Sequence, residues 1–114
     1  IGHLREMMEA SVTSARIDFD QVPLIDTDVI HYYLNEGCIP GGTNRNWASY
    51  GHRVGKLTDL QRHILCDPQT SGGLLVAISP DELDAFQQFM QQQVLDLSPI
   101  GRVEEQGEKL VYVE

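Results

Sequence analysis

The chain has 114 residues, 41% of them apolar, and 8 Lys and Arg against 17 Asp and Glu for a formal net charge of −9. That length suits one domain, since a chain of about 100–150 residues hides roughly two-thirds of its unfolded surface. Disorder is excluded by the apolar content, a membrane span by the lack of any apolar run near ~18 residues, and nucleic acid as a partner by the acidic balance.

Four histidines without H-x-x-x-H spacing and two cysteines without a C-x-x-C pair supply no metal motif and no disulfide framework. Cys38 and Cys66 each adjoin apolar residues and read as small buried hydrophobes in a reducing cytoplasm.

Leu4, Met7 and Met8 recur at helical spacing and predict a first helix that frays near Ala10–Thr13. No capping residue precedes them, so the chain is expected to begin within or just before an element of a longer protein. The alternation Ala15-Arg16-Ile17-Asp18-Phe19 predicts a half-buried strand. Asp26 can cap a second helix with Val29, Ile30, Tyr33 and Leu34 on its apolar face, and Gly37 is its left-handed terminator. Thr43 is expected to cap a short helix carrying Asn44, Arg45, Asn46 and Trp47. Thr58 and Gln61 form a capping box that opens another, running to about Leu65.

Residues 66–73 are turn-rich, and Leu74–Ile78, apolar on both faces, reads as a central strand. Ser79, Pro80 and Glu82 predict the next helix start, with Leu83, Phe86, Met90 and Val94 along one face and the glutamines on the wet side. Ile100–Glu105 and Lys109–Val113 read as a terminal hairpin. Helices and strands mix without βαβ alternation, so the fold class expected is α+β, a mixed or antiparallel sheet packed with helices in a single domain, 1–114.

Charge is unevenly placed. Residues 41–66 hold Arg45, Arg53, Lys56 and Arg62 against Asp59 alone, whereas the flanking segments are strongly acidic. This basic stretch coincides with Gly41-Gly42-Thr43-Asn44-Arg45-Asn46, whose fixed N–H groups, hydroxyl and guanidinium suit an oxyanion or phosphate. Gln69-Thr70-Ser71-Gly72-Gly73 is a second candidate, able to present successive N–H groups, while Asp67 before Pro68 is expected to pin its own Asx-type turn. A solvated loop and an ordinary loop-to-strand turn would explain the same residue types. The second segment lacks the Lys-Ser/Thr of a Walker A loop, and no G-x-S-x-G or G-x-G-x-x-G occurs.

Taken together, Pro40–Asn46 and Leu65–Leu75 resemble the two signature stretches in the C-terminal half of selenophosphate synthetases (selenide, water dikinases). Gly2-His3-Leu4, Ala48–His52 and Ile100–Val103 match as well, so the resemblance extends over the whole chain.

The resemblance implies an aminoimidazole ribonucleotide synthetase-like C-terminal domain in a two-domain enzyme that makes selenophosphate from selenide, ATP and water, releasing AMP and phosphate. It places the catalytic Cys or selenocysteine, a Lys and most Mg-ATP-binding aspartates on an N-terminal domain, so no catalytic or metal residue carries over to this chain. Thr43, Asn44, Arg45, Asn46, Gln69, Thr70, Ser71, Gly72 and Gly73 would face that domain's substrates on one converging surface. The partners implied are the N-terminal domain, selenide and ATP, with no nucleic acid and no membrane. The whole enzyme is expected to be a cytoplasmic homodimer, and this part alone an inactive monomer without bound Mg or ATP. A stand-alone binding or oligomerisation module, or a relative with another phosphoryl acceptor, remains the alternative.

Overall fold

The computed structural model describes residues 1–95 and 97–114. Five helices run in chain order: α1 (Gly2–Ser11), α2 (Thr27–Asn35), α3 (Gly41–Tyr50), α4 (Asp59–Leu65) and α5 (Leu83–Gln92). Three strands, β1 (Thr13–Ile17), β2 (Gly101–Glu105) and β3 (Val111–Val113), form one sheet of order β2-β1-β3. The fold is α+β, as its residue pattern predicts.

Helix α1 turns at once into β1 through Val12, whose positive φ of 56° lets its N–H reach the carbonyls of Glu9 and Met8. The strand predicted over 15–19 lies two residues earlier. Ala15 and Ile17 point to the core with Met8, Val54, Leu110 and Val111, and α1, Trp47, Tyr50 and Leu57 pack around this group.

The terminal hairpin is split. β2 pairs antiparallel with β1 (Ala15 opposite Val103) and β3 pairs parallel with it (Ala15 opposite Val111), so the two strands straddle β1 instead of touching. Ser14 explains the crossing. Its buried hydroxyl donates to the Lys109 carbonyl at 2.7 Å and accepts from the Gly107 N–H at 2.9 Å, which holds the connecting segment over β1.

Leu74–Ile78 is not a strand. Leu74–Ala77 are exposed and Ile78 is half-buried, and among the described residues the backbone of this segment pairs with none. A central strand needs two neighbours, and in the sheet of order β2-β1-β3 the central place belongs to β1. The far side of β3 is met by Val54 and by Gly55, whose N–H donates to Val111 at 2.7 Å.

Local helix signals fare better. Asp26 accepts from the Val29 N–H at 3.0 Å, Gly37 closes α2 at φ 76°, and the Thr58/Gln61 box is complete. Burial does not follow from them, because Val29 and Tyr33 on the supposed apolar face of α2 are exposed. The start of α5 differs from its expected form: Pro80–Glu82 is a 3-10 turn, Ser79 makes no side-chain cap bond, and α5 begins at Leu83. Val94 lies past the helix end at positive φ and is exposed, so it leaves the face formed by Leu83, Phe86 and Met90. Among the glutamines of this helix, Gln87 is half-buried and Gln88, Gln91, Gln92 and Gln93 are exposed.

Candidate functional site

Helix α3 starts earlier than its residue types suggest. Pro40, at φ −58° and ψ 136°, is the N-cap, and no side chain closes the first turn. The Thr43 N–H bonds the Pro40 carbonyl at 3.0 Å, so Thr43 lies inside the helix and does not cap it. Its side chain is 0% exposed, and its hydroxyl has no hydrogen-bond partner among the described residues. A helix N-terminus without a side-chain cap presents backbone N–H groups and the positive end of the peptide dipoles.

Arg45 adds to this positive end. Helical side chains lean toward the N-terminus, and Arg45 does so: its Nη1 would lie 3.9 Å from a Cβ built on Gly41. Of the four basic residues in 41–66, Arg53 pairs with Glu9 at 3.5 Å and Arg62 with Asp59 at 3.2 Å. Arg45 and Lys56 have no ion-pair partner among the described residues.

The second glycine-rich segment is rooted against the same helix. Asn46 donates through Nδ2 to the Cys66 carbonyl at 2.9 Å, and Gly42 packs flush on the Pro68 ring. From there Gln69 to Gly73 run outward and are exposed. The Asp67 turn is held by backbone, with the Gln69 N–H donating to the Asp67 carbonyl at 2.9 Å, and not by the expected Asx side-chain bond. Asn44 and Arg45 are exposed and Asn46 is half-buried. The roots of the two segments therefore meet through Gly42 and Asn46, while Thr43 is buried and so does not face outward with Asn44 and Arg45.

Behind it sit Tyr50 and Cys66. Burial raises the Cys66 thiol above its ordinary pKa despite the opposing influence of Tyr50 and Arg62, so it stays protonated and is a poor nucleophile. Burial also raises the Tyr50 phenol, with a further contribution from Cys66. Cys38 is exposed, contrary to its reading as a buried hydrophobe, because it follows the Gly37 turn at the end of the largely exposed α2. A separate cleft of about 260 Å³ lies between Phe19, Val22, Leu24, His31 and Leu60, apart from both glycine-rich segments.

The sequence pattern gave no sign of the Gly42–Pro68 and Asn46–Cys66 contacts. A glycine four residues before an asparagine on one helix is the only trace they leave.

With this fold and junction in view, comparison with known proteins defines the class: the chain belongs to the family described as AIR synthase related protein, C-terminal domain, which it matches over residues 1–114. Within that class its likeness is to the C-terminal domain of selenophosphate synthetases. It is 50% identical over 103 residues to the selenide, water dikinase of Colwellia psychrerythraea, covering 90% of this chain and 29% of that protein. The Aeromonas hydrophila protein of the same name is 52% identical over 103 residues, with the same two coverages. That of Pseudomonas putida is 47% identical over 113 residues, 99% of this chain and 32% of the relative. The chain thus spans about 30% of the length of these relatives. No helix among the described residues is long and apolar enough to cross a membrane.

Proposed function

We propose that this chain is the C-terminal domain of a two-domain, ATP-dependent selenide, water dikinase, and that its glycine-rich face closes over substrates held mainly by the N-terminal domain. In this reading the whole enzyme converts selenide, ATP and water into selenophosphate, AMP and phosphate, and the chain alone is not catalytic. The whole enzyme is read as a cytoplasmic homodimer, and this domain alone as a monomer.

The observation that carries the reading is the docking of the Cys66–Pro68 turn, from which Gln69–Gly73 continue, against Gly42 and Asn46 of α3, with Arg45 folded back over the first turn of that helix. Asn44, Arg45 and Gln69–Gly73 would then share one surface whose exposed donors are N–H groups, side-chain amides, the Thr70 and Ser71 hydroxyls and a guanidinium. Such donors suit the oxygens of a phosphate or selenium oxyanion. They do not suit Mg, which takes carboxylate oxygens, so the metal is assigned to the other domain and no step is routed through it here. Phosphoryl transfer depends on positioning and charge stabilisation; Arg45 would supply charge, and the N–H groups of Thr70 to Gly73 would orient the oxyanion.

Arg45→Ala in the full-length protein should lower selenide-dependent ATP turnover by about 10²-fold and leave the melting temperature nearly unchanged. Intact turnover with a destabilised protein would show that Arg45 is structural. Selenide-dependent ATP turnover by the 114-residue chain alone would overturn the reading as a whole.

A further inference from the structure

We infer that Gly42 and Asn46 are positioning residues that latch the root of the Asp67–Gly73 segment, the Cys66–Pro68 turn, to α3, so that the two glycine-rich segments start from a shared anchor. The two residues are four apart on one helix and therefore stack on a single face. That face meets the Cys66–Pro68 turn at two points. Asn46 Nδ2 donates to the Cys66 carbonyl at 2.9 Å, and a Cβ on Gly42 would stand 2.7 Å from Pro68 Cγ and 2.8 Å from its Cβ.

Each contact is demanding for a physical reason. Cys66 is the C-cap of α4 and 1% exposed, so its carbonyl has lost both the helical ladder and most access to water. Asn46 replaces what was lost, and an acceptor stranded there would be costly. The proline ring is rigid, so any side chain at Gly42 must drive the helix and the turn apart. Thr43, adjacent to Gly42, is fully buried, whereas Asn44 and Arg45 are exposed. Helical periodicity thus divides Gly42–Asn46 into a docked pair (Gly42, Asn46), a buried Thr43 and an outward pair (Asn44, Arg45).

Without the latch, the backbone hydrogen bonds that hold the root of the segment are local: Asp67 N–H to Ile64 and Gln69 N–H to Asp67. Neither reaches α3, which otherwise meets the root through Tyr50, hydrogen-bonded to the Cys66 thiol. Asn46 and Gly42 would therefore set the distance between the Arg45 guanidinium and the N–H groups of Thr70–Gly73 without touching substrate. Their part in turnover rests on the function proposed above; the latch itself does not.

The test uses the full-length protein, with hydrogen exchange read by mass spectrometry and selenide-dependent ATP turnover read alongside. Asn46→Ala and Gly42→Ala should each speed exchange roughly tenfold at the Cys66, Asp67 and Gln69 amides, the hydrogen-bonded ones at the root, while β1 amides keep their protection. Both should lower kcat with little change in the KM for ATP. Asn46→Asp, which turns an acceptor toward the Cys66 carbonyl, should behave like Asn46→Ala, and Asn46→Gln should recover part of the loss. Unchanged exchange at Cys66, Asp67 and Gln69 in both Asn46→Ala and Gly42→Ala overturns the latch, as does full exchange of these amides in the unsubstituted protein. Faster exchange with unaltered kcat overturns the positioning role. If Asn46→Ala does not fold, Gly42→Ala and Asn46→Gln carry the same readouts. Arg45→Ala separates the two ideas: intact turnover there, with loss in Asn46→Ala, sinks the proposed role of Arg45 and leaves the latch standing.

Discussion

Leu110 and Leu74 carry the same side chain, yet the first is 2% exposed and the second 96%. Leu110 belongs to the part of the molecule where α1, the three strands and residues 43–66 close on one another. Leu74 belongs to the stretch from 67 to 109, in which no described residue is buried. Both regions contain apolar runs and helices with sound local signals. The difference lies in partners: the first brings two faces together around Ala15, Ile17 and Val111, whereas in the second Leu74, Leu75 and Val76 stay exposed, and its contacts with the core come from Ile100 and the β2 backbone. Local propensity makes an element, but burial requires a facing surface.

The largest effect that can break this comparison is a pair of leucine truncations. Leu110→Ala should cost about 2–5 kcal/mol of unfolding free energy, and Leu74→Ala should stay within about 0.5 kcal/mol, both read from urea unfolding. Equal costs would mean that residues 74–78 are buried in solution. Glycines sharpen the same contrast. A Cβ on Gly101 would collide with the Arg16 carbonyl and the Ile17 Cα across the β1–β2 pair, while one on Gly73 meets nothing within 4 Å. Gly101→Ala should therefore destabilise by about 1–3 kcal/mol. Gly73→Ala should be neutral or slightly stabilising, through the less flexible unfolded chain.

How much of this was legible in the sequence depends on how far each bond reaches. Asp26 to Val29 and Thr58 to Gln61 span three positions, and the residue types alone announce both. Ser14 instead bonds partners 95 and 93 positions away, so a hairpin signal near Gly107 could not reveal that β1 would lie between its arms. The Leu74–Ile78 run announces a preference for burial but names no neighbour, and the flanks of β1 are filled by other strands. The candidate site divides the same way. Its glycines, hydroxyls and Arg45 stand out in the sequence, whereas the junction that roots the two segments together rests on contacts 20 and more residues apart.

The two helix starts with capping-box residues give a smaller test. In α4 the Thr58 hydroxyl accepts from the Gln61 N–H at 3.2 Å, and the Gln61 side chain accepts from the Thr58 N–H at 2.9 Å. At the start of α5, Ser79 has the right residue type but makes no side-chain cap bond. Thr58→Ala should cost about 1 kcal/mol, and Ser79→Ala close to nothing. A loss at Ser79 equal to that at Thr58 would show that the second box closes in solution.

The smallest effect expected is a pH dependence within the well-packed region. Arg16 on β1 donates through Nη2 to Glu104 Oε1 at 2.8 Å and through Nε to Oε2 at 3.2 Å, tying β1 to β2 on the face away from the core. The Arg16 bond, reinforced by its charge and that of Arg102, holds the Glu104 carboxyl below its ordinary pKa. The folded chain then binds that proton less readily than the unfolded chain does. The stabilisation is complete above the ordinary glutamate value of about 4.3, and it is lost as pH falls through the lower folded value. Glu104→Gln keeps the shape of the side chain and removes the charge. It should flatten this part of the acid limb in stability measured against pH, with an effect at neutral pH smaller than that of Thr58→Ala, because the pair lies at the surface and is screened. Added salt should shrink the difference between the two proteins further. An acid limb identical to that of the unsubstituted chain would mean that the Arg16–Glu104 fork is not held in solution, and that β2 is tied to β1 by its backbone alone.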